Sequence, residues 1–117
     1  MKAKDIINQP FIFKNGNTAK NRLLKSAMSE ALGDRNHAPT QELNTLYQTW
    51  ANGGIGICIT GNVMIDKRAL GEPGNVVIED KSNMTALKSW AKAATQNNTH
   101  CWVQLNHQQA ELVQLTI

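Results

Sequence analysis

Apolar and polar positions along this chain fall into blocks whose periods suit helices and strands in alternation. From Gln41 onward, Leu43, Leu46, Tyr47, Trp50 and Ala51 recur at i, i+3, i+4, i+7 and i+8, one continuous helical face. Thr40 stands where an N-cap is needed, and Asn52-Gly53-Gly54 offers the left-handed residues that stop a helix. Ile55-Gly56-Ile57-Cys58-Ile59-Thr60 follows at once as a nearly unbroken apolar run, the pattern of a strand covered on both faces in a parallel sheet. A second helix is predicted from Ser82 or Asn83, with Leu87, Trp90, Ala91 and Ala94 on one side and Asn97-Asn98 at its end. It leads into a third strand, His100 to Leu105.

Upstream, Asn21 to Ala27 reads as a short buried strand. Phe11-Ile12-Phe13-Lys14 running into Asn15-Gly16 predicts an opening hairpin in which both turn residues take positive φ. The stretch carrying Gly71-Glu72-Pro73-Gly74-Asn75 reads as a long loop. The order is therefore hairpin, β, α, β, α, β, an α/β chain whose crossovers imply a parallel sheet.

Each strand runs into small or amide-bearing polar residues: Lys25-Ser26-Ala27-Met28-Ser29-Glu30, Ile59-Thr60-Gly61-Asn62 and Gln104-Leu105-Asn106-His107. Parallel α/β proteins assemble their sites from the carboxyl ends of successive strands, so these segments are expected to converge on one ligand.

With 117 residues, 41% of them apolar and 18% charged, the chain has the composition of one globular domain at most. The net charge of +3 is scattered rather than gathered into a stripe, which argues against nucleic acid. No apolar run suits a secretion signal or approaches the ~20 residues of a membrane span, so a cytoplasmic address is expected and a membrane partner is not. Cys58 and Cys101 lie within apolar runs and read as buried packing residues rather than a disulfide.

Other chemistry finds little support. Gly54-x-Gly56 follows a helix and precedes a strand, the reverse of the dinucleotide fingerprint. His100 and Cys101, adjacent in a strand, point to opposite faces, and no metal site is expected. The acidic residues Asp66, Glu72, Glu79 and Asp80 show no pairing for acid/base work, and no nucleophile is set beside a base.

Lys20-Asn21-Arg22 leading into Ser26-Ala27-Met28-Ser29, then Trp50-Ala51-x-Gly53-Gly54-x-Gly56, Thr60-Gly61-Asn62 and Gln104-x-x-His107, together resemble the Old Yellow Enzyme family. These are FMN-dependent NADH:flavin oxidoreductases built on a (β/α)8 TIM barrel. The resemblance covers Pro10 to His107 and implies that residues 1–117 form the amino-terminal part of one FMN-binding barrel domain. It implies cofactor contacts from Ala27, Met28 and Ser29 beside the isoalloxazine ring, from a small residue at Gly61, and from the Gln104 amide at the pyrimidine edge. It further implies NAD(P)H as reductant and a small-molecule electron acceptor. The chemistry is consistent, because a flavin pyrimidine alternates acceptors with an N–H donor and a glutamine amide serves both. Without the resemblance, Ser26 and Ser29 read first as ordinary strand-end hydroxyls, Gly61 as a bulge or close backbone contact, and Gln104 with His107 as a satisfied surface pair.

A complete barrel takes about 250 residues. The family's substrate-facing pair and its phosphate loops belong to later strands, so no catalytic residue is expected here. After His107 the segment 108–117 departs from the x-Gly-Arg expected, and a shifted reading of the Gln109-Ala110-Glu111 codons can encode Gly-Arg. A frame shift is the corresponding expectation. It would yield a truncated, inactive product or one that complements a partner, with self-association through open sheet edges. The remaining alternative is an independent flavodoxin-like module, which the long charged stretch from Ser26 to Pro39 argues against.

Overall fold

The computed structural model describes residues 2–108; the segment 109–117, with most of the departing tail, lies outside them. Helix α1 (Ala3–Ile7), which the sequence did not announce, precedes strands β1 (Phe11–Ile12) and β2 (Thr18–Ala19). These pair antiparallel, Phe11 opposite Ala19 and Ile12 opposite Thr18, so the hairpin forms. Its turn differs from expectation. Only Gly16 takes a positive φ, +90°, while its N–H donates to the Phe13 carbonyl at 2.9 Å and Phe13 N–H donates to Asn17 at 2.8 Å. Asn15 does not take the positive φ expected, because the longer loop lets one glycine supply the reversal.

Four parallel strands follow: β3 (Leu24–Lys25), β4 (Ile57–Met64), β5 (Val76–Val77) and β6 (His100–Asn106). Strand β4 is central. Along one edge β6 pairs with it from Ile57 opposite His100 to Met64 opposite Asn106. Along the other, β3 pairs at Ile57 and Cys58 and β5 at Val63 and Met64. The strand expected from Asn21 to Ala27 is thus only two residues long, and it is not buried: Leu24 is 50% exposed. The second major strand lying between the first and third is the sequential order of a barrel wall. A flavodoxin-like sheet would put the first strand between the second and third.

Helix α2 (Gln41–Asn52) begins where expected, the Thr40 hydroxyl accepting from Leu43 N–H at 3.2 Å, and it buries Leu43, Tyr47 and Ala51. It ends on Gly53, which is right-handed at φ −72°; only Gly54, at +106°, supplies the left-handed step. Helix α3 (Met84–Ala94) buries Trp90, Ala93 and Ala94, whereas the expected Ala91 faces out. Its apolar stripe turns toward Ala93 because α3 packs against α2 as well as the sheet. Tyr47 and Trp90 meet edge to face at 5.3 Å in the core that both helices share with Cys58, Val63 and Val76.

Among the described residues, the opposite face of the sheet is covered only at its amino end. There the hairpin reaches under it, Phe13 meeting Trp102 at a tilt with ring centroids 5.8 Å apart and the Thr18 carbonyl bonding His100 Nε2 at 2.8 Å. Asn21 ties the starts of β3 and β4 together, donating to the Gly54 carbonyl at 2.6 Å and accepting from Leu23 N–H at 3.0 Å. A Cβ at Gly56 would strike the Asn21 carbonyl at 2.8 Å, which accounts for glycine there. Among the described residues, no helix is long and apolar enough to cross a membrane.

Candidate functional site

Strand β4 runs on through the segment expected to close it, so Thr60, Gly61 and Asn62 lie within the strand rather than at its tip. The ladder to β6 steps from Ile59 opposite Trp102 to Asn62 opposite Gln104, three residues against two, a bulge centred on Thr60 and Gly61. Thr60, buried, fills it: its hydroxyl oxygen accepts the Gln104 backbone N–H at 3.0 Å.

On the other edge of β4 the interval between β3 and β5 has no strand partner at residues 59–62, and buried backbone groups there need other partners. Side chains supply them. Lys25 Nζ donates to the Ile59 carbonyl at 3.3 Å while lying 4.3 Å over the Trp50 ring. Gly61 N–H donates to Glu30 Oε1 at 3.3 Å and to the Tyr47 hydroxyl at 3.2 Å. Tyr47 in turn donates to Glu30 through a short bond. Burial pushes the Tyr47 phenol far above its ordinary range, and the Glu30 hydrogen bond and charge add to it, so the hydroxyl stays a donor.

This interval lets the chain leave β3 and pass across β4 at Gly61. A Cβ there would fall on the Met28 carbonyl oxygen and the Glu30 carboxylate, so the protein's own backbone demands glycine at the crossing. Ala27, Met28 and Ser29 are exposed, Met28 at 58%. Gln104 lies on the far edge of β4, opposite Asn62. The structure therefore brings the three segments to one stretch of β4, residues 60–62, with Met28 to Glu30 on one side and Gln104 on the other. Among the described residues, neither the Ser29 hydroxyl nor the exposed Gln104 amide has a hydrogen-bond partner. Asn106 Nδ2 bonds Asn62 Oδ1 at 3.2 Å one step along the same face.

Glu30 and Tyr47 were not singled out as site residues from sequence. Tyr47 belongs to an apolar helical stripe and Glu30 closes a polar run; nothing in the spacing shows that they meet. A carboxylate one residue beyond a strand-end serine was the available signal.

A parallel sheet with helices on one face, sequential strand order and polar residues gathered toward the carboxyl end of its strands defines one wall of a (β/α)8 barrel. Comparison with known proteins agrees. The model of the NADH:flavin oxidoreductase / NADH oxidase family matches residues 7–115, and the chain belongs to that family. It is 36% identical over 102 residues to the NADH-dependent flavin oxidoreductase iliE of Hypocrea jecorina, covering 84% of this chain and 25% of that protein. The Old Yellow Enzyme homologue of Zymomonas mobilis superposes with a TM-score of 0.76 at 25% identity, over 86% of this chain and 28% of its own. The Old Yellow Enzyme of Trypanosoma cruzi, 17% identical, shares the fold with a TM-score of 0.77 over 88% of this chain and 27% of its own. The chain thus spans about a quarter of the length of these relatives.

Proposed function

We propose that this chain contributes one wall of an FMN site in an NAD(P)H-dependent oxidoreductase, with Ala27, Met28, Ser29 and Gln104 facing the isoalloxazine ring and Gly61 letting the Met28–Glu30 segment lie close beneath it. The observation that carries this reading is that the exposed Ser29 hydroxyl and Gln104 amide, neither with a partner among the described residues, flank one stretch of β4 at residues 60–62. A glutamine amide offers both a donor and an acceptor, which matches the alternating edge of a flavin pyrimidine. Ala27 and Met28, exposed beside it, suit the middle of the ring. Bound there, FMN would accept hydride from NAD(P)H and deliver it to a small-molecule acceptor.

The described residues fit the ring and not the phosphate. In a barrel of this kind the phosphate sits at loops after the seventh and eighth strands, and the hydride-accepting face draws on later strands too. We infer that the chain alone holds flavin without turning it over, and that complete activity belongs with the remaining strands. A cytoplasmic address goes with this reading.

Flavin titration tests it. The chain is expected to quench FMN and riboflavin fluorescence with equal affinity, since only the ring is recognised, and Gln104→Ala should weaken both. Folded chain that leaves both spectra unchanged would overturn the proposal. So would a strong preference for FMN, which requires a phosphate anchor within these residues.

A further inference from the structure

Resting on the flavin reading, we propose that Glu30 and Tyr47 are positioning residues that hold the Ala27–Ser29 segment at its height over β4. The argument begins with the unpaired interval on β4. A buried amide left without an acceptor is costly, and Gly61 N–H would be such a group where β3 has ended and β5 has not begun. The Glu30 carboxylate and the Tyr47 hydroxyl take the place of the missing strand.

Tyr47 is the fixed end of this arrangement. It is fully buried in α2, its ring edge-on to Trp50 at 5.0 Å and to Trp90 at 5.3 Å. Glu30 is bonded to it, and the Met28 carbonyl, two residues earlier, rests against Gly61. With both ends of the Met28–Glu30 step pinned, Ser29 has little freedom in where it presents its hydroxyl. The height of the loop is thereby set from beneath, by a helix on the far side of the sheet. Neither Glu30 nor Tyr47 needs to touch the flavin for this.

Both bonds to Glu30 end on the same oxygen, Oε1, which makes the role separable from charge. A glutamine keeps that oxygen; an alanine does not. In the full chain, Glu30→Ala is expected to speed hydrogen exchange at the Gly61 amide and through residues 27–29 by about tenfold. It should weaken FMN and riboflavin by about tenfold as well and alter the bound-flavin absorption band. Glu30→Gln should restore most of each effect. Unchanged Gly61 exchange and flavin affinity in Glu30→Ala would overturn the proposal, as would damage by Glu30→Gln equal to that by Glu30→Ala. If the unaltered chain binds no flavin, the preceding reading of the site fails; Gly61 exchange still decides whether Glu30 holds the loop.

Discussion

At the scale of single residues, the chain spends its polar side chains on finishing an interrupted ladder, and its thiols on packing. Cys58 and Cys101 are register partners in adjacent strands, and both are free. Burial pushes the Cys101 thiol up to about 12, with Cys58 and Glu30 adding to the shift, and it raises Cys58 too. Because the folded state keeps these protons longer, the unfolded chain binds fewer of them once pH passes the ordinary thiol value of 9.0. The contribution to stability is complete below that pH and is lost as pH rises toward about 12. Urea midpoints at about pH 8 and about pH 11 should fall with pH, and Cys101→Val should flatten part of that fall. An unaltered slope in the variant would remove the assignment. The packing role of both cysteines was legible from their apolar neighbours. The Glu30–Tyr47 contact was not, because its members sit 17 residues apart and are joined only by the way α2 crosses the sheet.

At the scale of elements, periodicity carried the helices and misplaced strand limits. The α2 stripe, its Thr40 cap and its stop before the left-handed Gly54 were legible because each has a local physical cause: face, hydroxyl, left-handed turn. Strand β5 was not. Two valines after Gly71-Glu72-Pro73-Gly74 are too short to show a period, and they become a strand only because β4 offers Val63 and Met64 as partners. Likewise Gly61-Asn62 has the composition of a strand end, yet β4 continues through it by way of the bulge and the supporting side chains. The cap offers a direct measurement. The Thr40 hydroxyl accepts from Leu43 N–H at 3.2 Å and donates to the Leu32 carbonyl at 2.6 Å, joining the start of α2 to the site loop. Thr40→Ala is expected to cost about 1 to 2 kcal/mol in urea unfolding, with Thr40→Ser close to the original. Equal midpoints for all three would show that the cap contributes nothing.

At the scale of the whole molecule, one edge of the sheet stands open among the described residues, with apolar side chains exposed on both of its faces. Leu23, Leu24, Trp102, Val103 and Leu105 are 43, 50, 43, 47 and 62% exposed, and among the described residues β6 has no strand on its outer edge. A hollow of about 320 Å³ lined by Phe11, Phe13, Leu24, Ile57 and Trp102 continues this surface toward the hairpin. An unpaired parallel edge flanked by large apolar side chains is a template for further strands, and in a closed barrel the neighbouring strands take that position. The chain in isolation should therefore associate with itself. Light scattering across a concentration series is expected to show species larger than the monomer. Placing a charge on the edge by Leu105→Lys should move the distribution toward monomer without changing the α2–α3 core, since Leu105 makes no part of that cluster. A monomer that unfolds cooperatively at high concentration, unaffected by Leu105→Lys, would show that the open edge is protected by the fold itself. Intermediate behaviour is informative as well: association abolished by Trp102→Lys and not by Leu105→Lys would assign it to the sheet face instead of the edge. The site proposed for flavin stands apart from the hairpin, since Ser29 and Gln104 flank β4 at residues 60–62 while the hairpin covers the amino end of the sheet.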